Sequence, residues 1–153
     1  ERLEEQSIFW NDDLDLAASM AIKTIKTIRE TDDDITLLPL WREDDDDKQF
    51  LETLFVESLA QAEVNEILVT EAAKNWELER IALMDRILMK MALAEAKSFS
   101  SIPLKVTLNE YIELSKYYST PKSNGFINGV LDQLFTQLKN DGTIVKIGRG
   151  LIE

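Results

Sequence analysis

Leu14, Ala18, Ala21, Ile25 and Ile28 recur at spacings of four, three, four and three, and Lys23, Lys26 and Arg29 fall off that line. This is the period of an amphipathic helix, predicted near 12–30 and ended by Thr31-Asp32-Asp33-Asp34. Residues 35–43 are apolar but contain Pro39, which lacks a backbone donor, so they read as a loop tucked against the core. From Lys48 to Asn75 there is neither Gly nor Pro. Phe50, Leu54, Ser58, Gln61 and Val64 trace one face there, and Leu51, Phe55, Leu59 and Ala62 trace its neighbour. One long helix, or two with a soft join, is expected. Met84, Ile87, Leu88, Met91, Ala92 and Glu95 mark another over 77–97. Thr107-Leu108-Asn109-Glu110 has the form of a capping box, which predicts a helix from Leu108 to Tyr118. Ser119 to Gly125 is a breaker segment, and the last helix is predicted from Phe126 to Leu138, with Phe126, Val130, Leu134 and Phe135 inward. Asn140-Asp141-Gly142 ends it. The tail 143–147 is β-prone, with no second strand to pair with. The pattern as a whole predicts an all-α, single-domain chain over 1–153 of five to six helices, with a helical core over 12–138 and a C-terminal tail over 139–153.

Composition narrows the chemistry. The 153 residues include no Cys and no His, which removes disulfides, thiolate nucleophiles, zinc sites built on those ligands and the side chain that titrates near neutrality. Any catalysis would rest on carboxylates, Lys, Tyr, Ser or Thr, so a non-enzymatic role is expected, with neither metal nor cofactor. No run of about 18 apolar residues appears, so no membrane span is expected, and cytoplasmic residence is the default. The first residue is Glu and not Met, so a trimmed product or a part of a longer chain is expected.

The net charge of −12 is unevenly spread. Residues 1–48 hold 15 acids and 6 bases, residues 49–103 hold 9 and 5, and residues 104–153 hold 5 and 6, giving −9, −4 and +1. Only the last third can approach a polyanion without general repulsion, so any nucleic-acid site must be local. The run Asp44-Asp45-Asp46-Asp47 lacks the alternating ligands, central Gly and later Glu of a calcium loop. It reads as an acidic loop whose last members favour a helix N-terminus. Glu110 and Glu113 share a helix face, but the capping box already accounts for Glu110, which leaves little for an acid–base pair.

Residues 76–131 carry something more specific. Trp76-Glu77-Leu78-Glu79-Arg80-Ile81 and the run from Met84 to Glu95 precede Ile102-Pro103-Leu104-Lys105-Val106-Thr107-Leu108-Asn109-Glu110, and Phe126-Ile127-Asn128-Gly129-Val130-Leu131-Asp132 follows. Together, in this order and with a short linker, these strings resemble the NusB family of transcription antitermination factors. The resemblance implies two small helical bundles and a role in ribosomal-RNA transcription. It implies partners too: a single-stranded leader RNA, the ribosomal protein NusE and the antitermination complex of RNA polymerase. The family's arginine-rich first helix has no counterpart here, since the region before Asp12 is acidic. That departure suggests that a basic helix lies upstream in a longer protein.

Phe126 follows Lys122, Ser123 and Asn124, and an aromatic beside a cation and small polar donors suits single-stranded RNA, whose unstacked bases lie on aromatic faces. The alternative is a core Phe opening an amphipathic helix. Lys105 and Lys116 join Lys122 as candidates for a positive patch. Asp85 corresponds to an acidic position that, by the resemblance, faces the ribosomal partner, with Lys90 beside it; otherwise Asp85 is a solvated carboxylate paired with Arg86 or Lys90. Asn109 and Asn128 read as structural, Gly129 as a point of close helix approach. Two other functions compete: the RNA-recognition domain of a ribosomal-RNA methyltransferase, and a helical interaction module without RNA binding.

Overall fold

The computed structural model describes residues 13–31, 34–35, 37, 46–75 and 81–147. The chain divides into two units, 1–48 and 49–153. In the first, α1 spans Asp13–Thr27, and its last turns carry a hydroxyl bond from Thr24 Oγ1 to the Met20 carbonyl at 2.9 Å. Four of the five predicted stripe residues, Leu14, Ala18, Ala21 and Ile25, lie in this helix, which ends before Ile28 and short of the expected 30. The connector 38–43 and the acids Asp44 and Asp45 lie outside the described residues, while Asp46 and Asp47 open the next helix, where the exposed N–H groups favour negative charge.

The second unit is built from α2 (Asp46–Ala60) from Gln49 onward, α3 (Ala62–Ala72), α4 (Leu83–Ser98), α5 (Leu104–Tyr118) and α6 (Ser123–Asn140), with a 3-10 turn over Ala73–Asn75. The Gly- and Pro-free stretch resolves into two helices that meet at Gln61. The backbone ladder still runs through the join, from Gln61 N–H to the Glu57 carbonyl and from Asn65 N–H to the Gln61 carbonyl, both at 2.9 Å.

α4 is the central helix and packs against α3, α5 and α6. Leu88, Met89, Ala92, Leu93, Ala94 and Ala96 are all buried, which puts apolar surface on most of its circumference, the mark of a helix enclosed by others. Its three alanines let neighbours approach closely. Against it lie Val69 and Ala73 from the α3 side, Tyr111 of α5, and the stripe Ile127, Val130, Leu131, Leu134, Phe135 and Leu138 of α6. Among the described residues there are helices and no strands, in line with the all-α expectation.

Three helix starts differ from the sequence reading. α5 begins at Leu104, one turn earlier than Leu108, because Pro103 sits in the extended conformation (φ −61°, ψ 141°) and its carbonyl accepts the first bonds, from Val106 and Thr107 N–H. Thr107 is therefore interior and fully buried, its hydroxyl without a partner, and the capping box is not formed. α6 begins at Ser123 and not Phe126: Asn124 and Gly125 occupy its first turn, where backbone donors need no intrahelical acceptor and turn-favouring residues cost little. α4 begins at Leu83, after the non-helical Ile81 and Ala82; the part of the expected helix over 77–80 lies outside the described residues.

The tail after α6 turns at Gly142, whose φ of 80° is a left-handed conformation that an L side chain would strain. It then runs without strand structure. Ile144 is buried and bonds back to the Leu138 carbonyl, Ile147 N–H bonds to the Ser100 carbonyl at 2.9 Å, and Lys146 Nζ reaches the Phe99 carbonyl at 2.8 Å. The β-prone residues thus pair singly with the α4–α5 turn.

These bonds fix the ends of the bundle. The tail beyond α6 lies against residues 99–100, just before α5, so the C-terminal end of α6 and the N-terminal end of α5 share one end of the unit. At the other end, hydroxyls at the end of α5 and the start of α6 meet a carboxylate at the start of α4.

Candidate nucleic-acid interface

That second end holds most of the predicted RNA-contacting residues. Lys116 lies on the last turn of α5, Ser119 caps it, and the short turn to Ser123 leads through Thr120, Pro121 and Lys122 into α6. Lys122 and Lys116 are exposed, Asn124 and Phe126 half-buried. Lys116 Nζ pairs with Glu113 one turn back, an exposed pair worth about 0–1 kcal/mol and readily exchanged for a phosphate. Asn124 Oδ1 accepts from Gly125 N–H at 2.6 Å, which leaves the amide nitrogen as the group able to donate outward. Phe126 packs against the core with part of its ring while remaining partly open to solvent.

Lys105 is not in this group. It stands in the first turn of α5, about 16 Å along the helix axis from Lys116, at the end of the bundle where the tail lies. The sequence reading missed this because it began the helix at Leu108 and left Lys105 outside it.

Ser123 is only 2% exposed, so its hydroxyl does not offer itself to a ligand. Asp85 is 4% exposed, on the first turn of α4. It is not a solvated carboxylate paired with Arg86 or Lys90, and its burial leaves little of the carboxylate to offer a partner's surface. Instead Oδ1 accepts from Ser119 Oγ and Oδ2 accepts from Ser123 Oγ at 2.8 Å. Each Ser has one hydroxyl proton, and both are committed to the carboxylate. Ser123 Oγ must therefore act as acceptor for Thr120 Oγ1 at 2.8 Å and Thr120 N–H at 3.2 Å, and the 3.0 Å approach of Ser119 Oγ to Ser123 Oγ is a contact without a proton of its own.

Lys90 and Arg86 turn to α3, where both pair with Glu66. Burial pushes the Glu66 carboxyl up, but hydrogen bonds from Lys90 and Arg86 outweigh it and hold the group below its ordinary range. Lys90 thus ties α3 to α4 while part of its side chain stays accessible. Asn109, Asn128 and Gly129 are exposed, and among the described residues α6 meets its neighbours through the opposite, buried stripe.

Three residues were passed over in the sequence. Ser119 and Thr120 looked like turn formers, yet hydroxyls four apart at Ser119 and Ser123 flanking a helix start are a signal for side-chain capping. Tyr117, beside Lys116 on the last turn of α5, is 46% exposed and offers an aromatic face at the same end as Lys122.

The comparisons with known proteins agree with this architecture. A sequence profile of the NusB family matches residues 13–135. The chain is 39% identical over 143 residues to the transcription antitermination protein NusB of Salinibacter ruber, a match that spans 89% of both chains. It is 45% identical over 85 residues to the protein of the same name from Chloroherpeton thalassium, covering 56% of this chain and 40% of that one. Among solved structures, T. maritima NusB superposes with a TM-score of 0.52 at 25% identity, over 66% of this chain and 70% of that one.

Proposed function

The chain belongs to the NusB family, and we propose that it is a non-catalytic transcription antitermination factor that seats a single-stranded leader RNA together with the ribosomal protein NusE, within the antitermination complex of RNA polymerase in the cytoplasm. The supporting observation is the gathering of Lys116, Lys122, Asn124 and the half-open Phe126 where α5 turns into α6. This is the combination that single-stranded recognition uses: cations for phosphates, an amide for base edges, and an aromatic face for stacking. These contacts are few on a chain of net charge −12, so RNA alone binds weakly and the basic partner supplies the rest of a composite surface. Lys90 remains a candidate for the protein partner through its accessible portion.

The test is a titration of the chain with NusE and a labelled single-stranded ribosomal leader RNA over a series of salt concentrations. A ternary complex tighter than either binary one is expected. Lys122→Ala weakens it and lowers the salt slope by about 0.7, the value for one phosphate on a single strand, while Lys105→Ala at the far end of α5 leaves both unchanged. No ternary complex at low salt would rule the reading out.

A further inference from the structure

We propose that Asp85 is a positioning residue of the RNA seat: its buried carboxylate, acting through Ser119 and Ser123, holds the α5–α6 turn in the conformation that presents Lys122 to phosphate. This rests on the RNA-binding reading above and assigns Asp85 a role different from partner contact.

The turn between α5 and α6 comprises Ser119 to Lys122. One carboxylate grips it on both sides, at Ser119 through Oδ1 and at Ser123 through Oδ2. Lys122 immediately precedes the second anchor, so its backbone is fixed while its side chain is left in solvent. Thr120, inside the turn, is drawn to the same Ser123 oxygen by its amide and its hydroxyl. The grip requires two acceptor oxygens. Asparagine offers one. Its amide nitrogen fits only on the Ser119 side, because the two lone pairs of Ser123 Oγ already hold the Thr120 N–H and O–H, and there it reverses the Ser119 bond. Asp85→Asn therefore preserves shape and burial, removes the charge and turns the Ser119 arm into a weaker neutral bond. The carboxylate also lies in the first turn of α4 and against the first residue of α6, two helix ends whose free N–H groups favour negative charge there. The acid at position 85 thus serves two helix starts and one turn together.

The experiment uses the full chain with NusE and a short fluorescent single-stranded ribosomal leader RNA, read by anisotropy across a salt series. Unmodified protein, Asp85→Asn, Lys122→Ala and the double variant are compared, with amide hydrogen exchange run on the free proteins. Asp85→Asn is expected to weaken RNA about tenfold and to lower the salt slope as Lys122→Ala does. The double variant should bind about as well as the weaker single variant, because both changes remove one contact. Amides over 119–123 should exchange faster, with those over 127–138 unchanged. A residue important only for stability would change unfolding without altering the salt slope of the folded protein. Unchanged affinity in Asp85→Asn, or losses that add in the double variant, would overturn the proposal and leave the RNA reading standing. Failure of the unmodified chain to retain RNA with NusE would overturn that reading and this one with it. If Asp85→Asn does not fold, Ser119→Ala releases one arm alone and should show the same loss of slope; an unchanged slope would count against the proposal.

Discussion

α2 and α6 are both long helices rich in large apolar side chains, yet α6 buries seven residues and α2 buries none. In α6 the apolar positions fall on one stripe, Ile127, Val130, Leu131, Leu134, Phe135 and Leu138, and that stripe lies against α4 and α5. In α2 they wrap two adjoining faces. Phe50 and Leu54 are half-covered, Phe50 meeting Phe99 at the end of α4 with ring centroids 4.8 Å apart. Leu51, Phe55 and Leu59 stay open and line a groove of about 580 Å³ between α2 and α4, with Ile87 and Met91 on its other wall. The contrast shows that apolar content alone does not decide burial. The α6 stripe faces α3, α4 and α5 and becomes core; the apolar faces of α2 meet less of the unit and stay open.

The sharpest way to break this contrast is to delete the same kind of side chain from each helix. Leu131 is fully buried in the α4–α6 seam, so Leu131→Ala removes apolar surface and leaves a cavity, a loss of about 2–5 kcal/mol. Phe55 is 66% exposed, and Phe55→Ala should cost less than about 1 kcal/mol despite removing a larger group. Urea denaturation of the 153-residue chain measures both. Comparable losses would mean that α2 is covered as thoroughly as α6.

A smaller effect is expected where the two halves of the contrast are joined. Asn65 on α3 is fully buried, donates to the Lys90 carbonyl at 3.1 Å and accepts from Lys97 Nζ at 2.6 Å. Burial holds the Lys97 ammonium below its ordinary range, which makes the Asn65 oxygen a valuable partner. Asn65→Leu fills a similar volume but leaves a carbonyl and a partly buried ammonium without that partner, a destabilisation of about 1–3 kcal/mol by the same denaturation assay. Asn65→Leu together with Lys97→Met should recover part of it, since removing both members of a buried polar pair costs less than removing one.

Much of this was legible in the sequence. Period alone located α1, α6 and the α2–α3 stretch, and it named Val130, Leu134 and Phe135 as inward residues, because a single well-defined stripe leaves one solution for packing. The strings over 102–110 and 126–132 carried the family. What pattern could not supply was position along the bundle and the direction of polar side chains. Lys105 and Lys116 lie on one helix, yet they stand at opposite ends of the unit. Asp85 and Ser123 have the composition of surface residues and are buried because they satisfy one another, a relation between residues 38 apart that no local window contains. The start of α5 was misplaced for a related reason: Thr107 and Glu110 fit a capping box, but Pro103 opens the helix a turn earlier and commits Thr107 to the interior.

The smallest effect concerns the ion pairs that hold α3 to α4 beside the groove, and it gives the contrast a pH dependence. Lys90 and Arg86 hold the Glu66 carboxyl below its ordinary value of 4.5 against the upward push of burial. A carboxyl lowered on folding contributes stability that is fully present above its unfolded value. That contribution is lost as pH falls through the lower, folded value, because there the native state must also take up the proton. Glu66→Gln should therefore be less stable than the unmodified chain at pH 7, with the difference shrinking below about pH 4.5 and vanishing once both states of the unmodified chain are protonated. Thermal unfolding from pH 7 down to pH 3 follows the convergence of the two curves. Because α6 has no part in this pairing, a Leu131→Ala variant should run parallel to the unmodified chain over the same range. Parallel curves for Glu66→Gln as well would show that the α3–α4 pairs add nothing to the anchoring of the less covered side of the unit.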